Sequence, residues 1–70
     1  MKKSDLKNGM VVTYRNGEKR SVLNGMLIPL DNNGLFGLLD HYTDDLLNVN
    51  GFKSFDIMKV ASILVLWERK

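Results

Sequence analysis

"KNGMVVTYRNGEKRSVLNGML", Lys7–Leu27, contains Asn-Gly three times, at Asn8-Gly9, Asn16-Gly17 and Asn24-Gly25, each eight residues after the last. Asn33-Gly34 and Asn50-Gly51 follow, so five of the six glycines stand behind an asparagine. Asn-Gly is the favoured two-residue turn of a β-hairpin, because a type I′ turn needs positive φ at both central positions. A beat of eight leaves about six residues between turns, an ordinary strand length. The intervening residues agree. "MVVTY" at 10–14 is rich in β-branched and aromatic side chains, with Met10, Val12 and Tyr14 on one face and Val11 and Thr13 on the other. The segments between the pairs do not resemble one another, so the turn recurs and the surface does not. Asn16-Gly17 and Asn24-Gly25 are expected to be hairpin turns, and Asn33-Gly34 the turn into a fourth strand. Asn8-Gly9 has too little chain before it for a hairpin and should bend the chain into the first strand.

Working outward, "EKRSVL" begins polar and ends apolar, and "MLIPL" is apolar until Pro29, which cannot donate to a ladder and so marks an edge or the end of pairing. "LFGLLD" at 35–40 reads as a further strand in which Gly37 signals a bulge, a bend or a close backbone approach. The character changes at "HYTDDLLN", 41–48, where capping residues precede Leu46-Leu47 and predict one short helical or 3-10 turn near residues 42–47. "FDIMKVAS" and "ILVLWERK" return to strands. The sum is an all-β single domain over residues 1–70, a small SH3-like barrel of five or six short strands, with an OB-fold as the alternative.

Seventy residues bury only roughly 60% of the surface the unfolded chain exposes, and there is no Cys to add a disulfide or a thiolate-held zinc. Leu46, Leu47, Leu64 and Leu66 exceed what so small a core is expected to hide, which leaves a patch for a partner or a second copy. Polar residues follow Lys2-Lys3 where a signal peptide needs an apolar stretch, and "ILVLW" is too short to span a bilayer. A cytoplasmic protein without a membrane partner is the expectation. The net charge of +2 is unevenly spread: residues 1–20 carry +4, residues 21–56 carry −4 and residues 57–70 carry +2.

Three stretches together, "DLKNGMVVTYRNGEKRSVL", "YTDDLLN" and "FDIMKVA", with the closing "LWERK", resemble small proteins encoded by phages and prophages of low-GC Gram-positive bacteria. The resemblance covers nearly the whole chain. It implies an SH3-like fold and a phage origin, but no settled activity to carry over to particular residues. Many such small proteins bind and redirect host proteins, inhibitors of bacterial defence systems among them.

Catalysis has little to draw on. His41 is the one histidine, no serine sits in a nucleophile-elbow context, and no phosphate-binding or dinucleotide fingerprint occurs. Asp40, His41, Asp44 and Asp45 could be spaced for a metal on a helical turn, but capping by first-turn carboxylates is the plainer account, so neither metal nor cofactor is expected. A non-catalytic protein that binds another protein is the leading reading. Its candidate contacts are Tyr42 with Asp44 and Asp45, and Trp67, although Trp67 shares a strand face with Ile63 and Val65 and could equally be core or rim. The alternative is a nucleic-acid-binding barrel with Lys7, Arg15, Lys19 and Arg20 on phosphates and Tyr14 near them for stacking.

Overall fold

The computed structural model describes residues 1–31 and 34–70. Among these, strands β1 (Val11–Tyr14), β2 (Lys19–Leu23), β3 (Met26–Pro29), β4 (Gly37–Leu38), β5 (Ile57–Ala61) and β6 (Leu66–Glu68) form one antiparallel sheet in the order β4-β3-β2-β1-β5-β6. The protein is all-β, with only three-residue 3-10 turns at Lys3–Asp5, Leu39–His41 and Lys53–Phe55. β4 and β6 stand at the two ends of the order, and among the described residues no pairing joins them.

The turns explain the register. Asn24 and Gly25 take φ of 50° and 79° and join Leu23 directly to Met26, the expected type I′ geometry. Asn16-Gly17 differs. Its loop is Arg15–Gly17, closed by the Gly17 N–H on the Tyr14 carbonyl (2.9 Å) and the Tyr14 N–H on the Glu18 carbonyl (2.8 Å). Gly17 has positive φ and Asn16 does not, because the Asn16 Oδ1 accepts the Glu18 N–H at 2.8 Å and holds its own residue in an Asx turn. One extra residue thus enters the hairpin, as a glycine bulge, and sets Val12 opposite Arg20. Asn8-Gly9 does bend the chain into β1, and its side chain reaches the second turn. Asn8 Oδ1 accepts the Asn24 N–H (2.8 Å), while Asn8 Nδ2 donates to Asn24 Oδ1 (3.3 Å). The Asn33-Gly34 turn falls partly outside the described residues.

The alternation gathers Met10, Val12, Tyr14, Val22, Leu27, Ile57 and Val60 into the core, and the loops add Leu6, Tyr42 and Leu46. β3 ends at Pro29 opposite Arg20, as a missing N–H requires. Gly37 is a site of close approach: a Cβ there would lie 3.2 Å from the Tyr14 hydroxyl and 3.3 Å from the Leu27 Cβ. Gly37 opens β4, a strand of two residues.

The stretch expected to make a helical turn near 42–47 is instead a tight turn. The Leu46 N–H bonds the Thr43 carbonyl at 2.9 Å, the Leu47 N–H bonds the Thr43 hydroxyl at 3.2 Å, and Tyr42 bridges to Asn48. The 3-10 turn comes just before it, at Leu39–His41. Burial of Leu46 decides this. It is fully enclosed and sits at φ 68°, a left-handed conformation that costs a non-glycine residue about 1–2 kcal/mol and that core packing offsets. Leu64 and Leu66 remain exposed, and among the described residues no helix is long and apolar enough to cross a membrane.

Gly25→Val should lower Tm by roughly 5–15 °C in a thermal melt followed by circular dichroism, since a β-branched residue cannot take φ near 79° without strain. No atom lies within 4 Å of the added Cβ, so the loss reports backbone conformation and not a clash.

Candidate functional site

The register that sets Arg20 opposite Val12 puts a guanidinium on the inner face of β2, beside Val22. Arg20 is only 7% exposed. Its charge is met by Glu18, two residues earlier on the same face, at 2.8 Å. Its Nη1 donates to the carbonyl of Leu35 and, at the limit of bonding distance, to that of Leu27, and the guanidinium carbon lies 5.2 Å from the centre of the Tyr14 ring. Nε, enclosed among these groups, has no hydrogen-bond partner among the described residues. Arg20 therefore ties the chain before β4 to the hairpin of β1 and β2.

Above it opens a cleft of about 330 Å³, floored by Tyr14, Arg20 and Tyr42 and walled by Phe36, Phe55 and His41. The aromatic rings set its shape. Tyr14 and Tyr42 are stacked at 6.3 Å between centres, and Phe55 meets Tyr14 edge-on at 5.7 Å. The Tyr42 hydroxyl donates to the Phe55 carbonyl at 2.7 Å, fixing the loop after Phe52 against the floor. Phe36 is 61% and Leu35 88% exposed, so the outer wall presents apolar side chains to water. Burial pushes the pKa of Tyr14 above its usual value, partly offset by its hydrogen bond to Tyr42 and by Arg20. Burial and then the hydrogen bond to Tyr14 raise Tyr42 much further. Both phenols are thus neutral over the physiological range. With Arg20 matched by Glu18, the floor is aromatic and close to charge-neutral, and the rim adds the hydrogen-bonding side chains of His41 and Asn48. Such a surface suits an extended, apolar or aromatic segment with a few polar groups.

The expected contacts divide between two places. Tyr42 is in the core and offers the cleft only its inner surface. Asp44 and Asp45 are exposed on the 43–46 turn, where the Asp44 carbonyl accepts the Lys3 N–H and the Asp45 carbonyl accepts Arg69 Nη2 at 2.6 Å. Arg69 also lies 5.2 Å from the centre of the Trp67 ring, so Trp67, Arg69 and the turn carrying Asp45 do gather, away from Tyr42. Trp67, expected as a contact or as core or rim, is half-buried against the core. The four candidate phosphate contacts are not brought together. Arg20 is buried and engaged, which corrects its placement among the phosphate contacts. Arg15 is held by Asp56 at 3.4 Å and by the Lys53 carbonyl at 3.1 Å. Lys7 and Lys19 are exposed, Lys7 beside the Asn8-Gly9 turn and Lys19 at the far end of β2.

Sequence reasoning placed Arg20 among phosphate contacts rather than in this cleft, and placed Phe36 and Phe55 in no site. The signal available for Arg20 was parity: with Val22 inward, Arg20 must be inward too. Nothing in the sequence marked Phe36 or Phe55 as partners of Tyr14, because they arrive from loops. Among the described residues no cluster of three or more potential metal ligands occurs. Comparison with protein-family models, curated proteins and solved structures finds no match.

Arg20→Met should cost about 2–3 kcal/mol in chemical denaturation, since it strands the Leu35 carbonyl and leaves Glu18 unpaired; partial exposure of Glu18 holds the loss below that of a fully buried pair. The chain has two tyrosines, both in the cleft, so tyrosinate absorbance reports this site alone. In the unfolded chain both ionise near pH 10.0, whereas folding holds both pKa values higher. Their contribution to stability is complete below pH 10.0 and is lost as pH rises past it. The ionisation should therefore coincide with alkaline unfolding, and a Tyr42→Phe variant should show a shallower fall of stability with pH.

Proposed function

We propose that this chain is a non-catalytic accessory protein of phage or prophage origin, a small SH3-like module that acts in the bacterial host by binding another protein. Inhibition of a host defence system is its most concrete form. The observation that carries the reading is the open aromatic cleft: Leu35 and Phe36 project from a wall that Arg20 holds in place, over a floor of stacked tyrosines. Exposed aromatic and aliphatic side chains around a preformed concavity are what a protein-binding surface needs, because little ordering is left to be done on association. The mechanism is steric. A rigid sheet presents the cleft, a segment of the target seats in it, and the target is blocked or redirected.

The resemblance of the sequence to small phage proteins supports the origin. The non-catalytic reading rests on the sequence, which has one histidine and no serine in a nucleophile-elbow context. Nucleic-acid binding ranks second. It draws on a groove of about 320 Å³ lined by Arg15, Lys59 and Arg69 among others. There Arg15 is paired with Asp56 and Lys59 with Glu68, and Arg69 keeps its charge but has its donors engaged by backbone carbonyls, so a phosphate meets few free donors.

The test is capture from lysates of candidate hosts, followed by affinity measurement with the protein recovered. Leu35→Ser with Phe36→Ser, on exposed positions that leave the core intact, should weaken that affinity at least tenfold. Failure to recover a partner across several hosts, or unchanged affinity in the double variant, defeats the reading. Binding to mixed DNA and RNA at about 50 mM salt that disappears as salt rises replaces it with the nucleic-acid alternative.

A further inference from the structure

The hairpin between β5 and β6 breaks the rule that this chain follows elsewhere. At Asn8-Gly9, Asn16-Gly17, Asn24-Gly25 and Asn50-Gly51 the chain turns on asparagine and glycine, all four glycines at positive φ. Between β5 and β6 it turns on Ile63 and Leu64. The Ser62 N–H bonds the Val65 carbonyl at 2.8 Å, and the Ser62 hydroxyl accepts the N–H groups of Leu64 (3.4 Å) and Val65 (3.1 Å). The serine thus closes the turn, and the two aliphatic side chains add nothing to it. Ile63 is 99% and Leu64 92% exposed, and Leu66, which follows on β6, is 84% exposed. Turn tips favour Gly, Asn, Asp and Ser, whose side chains serve the turn. Two bulky aliphatics at a tip serve something outside the chain.

β6 is also an open edge. The pairs Lys59–Glu68, Val60–Trp67 and Ala61–Leu66 fix its register on β5. The Arg69 N–H bonds the Met58 carbonyl, and the Ser62 N–H bonds the Val65 carbonyl. In an antiparallel ladder the bonded positions alternate, so Trp67 faces β5 while the N–H and C=O groups of Leu66 and Glu68 point outward. β6 is the last strand of the sheet, and those groups meet no further strand among the described residues.

We propose that β6 pairs antiparallel with β6 of a second copy of this chain, burying Ile63, Leu64 and Leu66 of both copies against one another. Self-pairing suits this edge for three reasons. A two-fold axis needs a surface that complements itself, and an antiparallel strand edge does so by construction. A two-fold at Leu66 sets that residue against its own copy, where the outward N–H and C=O of each bond the other, and keeps the Glu68 carboxylates at opposite ends of the paired strands, so no like charges face each other. The outer-face row that ends at Leu66, namely Ile28, Ser21, Val11, Ala61 and Leu66, contains no charged residue, whereas the row ending at Glu68 contains Lys19 and Lys59. Area sets the strength. A side chain of this size buries roughly 60–120 Å² of apolar surface, so six of them supply roughly 400–700 Å² before the paired backbone is added. Specific interfaces begin near about 1,000 Å² in total, which places this one at the weak end, with a dissociation constant in the micromolar range.

The edge is separate from the aromatic cleft, so the two assignments fail independently. Sedimentation equilibrium between about 5 and 500 µM tests it, with the mass expected to rise from 8.0 kDa toward twice that value. Ile63→Ser with Leu64→Ser, at fully exposed turn positions, should weaken association at least tenfold. Glu68→Pro should do the same through the backbone, because it removes an outward N–H without touching the bonds to β5 or the aliphatic cluster. Phe36→Ser, in the cleft wall, should leave association unchanged. Circular dichroism confirms that each variant is folded. A mass of 8.0 kDa at every concentration overturns the proposal, as does association that survives either the Ile63/Leu64 pair of changes or Glu68→Pro in the folded protein.

Discussion

The contact between the Arg20 guanidinium and its surroundings is the one on which the rest of this small structure depends. The inner face of β2 below Val22 carries an arginine where a core would ordinarily place an apolar side chain. The burial is tolerable because each neighbour answers the charge differently: Glu18 as counter-ion, the Leu35 and Leu27 carbonyls as acceptors, the Tyr14 ring as a polarisable face. In return the guanidinium holds the segment leading into β4 against the first hairpin. It acts there beside the two-residue pairing of β4 and the Leu39 N–H on the Gly25 carbonyl at 2.9 Å. The cleft is a by-product of the same contact, since its wall is the segment Arg20 holds.

A second anchor works alongside it. Asp56 is buried at the entry to β5, with one carboxylate oxygen on the Asn48 N–H at 2.8 Å and the other toward Arg15. It fastens the loop that carries Tyr42 and Leu46 to the first hairpin from the opposite side. Two buried charges of opposite sign, each met by a partner on the β1–β2 hairpin, thus do what a larger protein would do with more hydrophobic area.

Much of the sheet was legible because the chain states its turns openly. Alternation put Met10, Val12 and Tyr14 inside, Pro29 ended a strand, and Asn24-Gly25 turned as its chemistry requires. The exceptions have physical causes. Asn16 bonds the following backbone with its own side chain, which lengthens the first hairpin by a residue. Leu46 accepts a left-handed backbone to reach the core, a trade no local propensity records, so the segment at 42–47 is a tight turn and not a helical one. The site was less legible than the fold. Segment charges treat Arg20 as solvated, and only its parity with Val22 says otherwise. The cleft joins Tyr14, Phe36 and Phe55 from three separate parts of the chain, and no spacing in one sequence encodes that meeting. One ion pair, Arg15 with Asp56, joins the basic first segment to the acidic middle one.

The Asn-Gly turns also set how this protein ages. Glycine leaves its N–H unhindered, so in such a pair it can attack the asparagine side-chain carbonyl and expel ammonia, and water then opens the cyclic imide to an aspartate or an isoaspartate. At Asn8, Asn16 and Asn50 the glycine N–H is held by a carbonyl, of Val22, Tyr14 and Asn48 respectively, so the reaction must wait for the turn to open. The outcomes differ. At Asn16 the side chain uses only its oxygen, as acceptor for the Glu18 N–H, and a carboxylate keeps that bond. At Asn8 the lost amide is the donor to Asn24, and a carboxylate would set oxygen against oxygen where 3.3 Å now separates a matched pair. One dipeptide, used for the same bend, is chemically durable at one corner of the sheet and a wearing part at another.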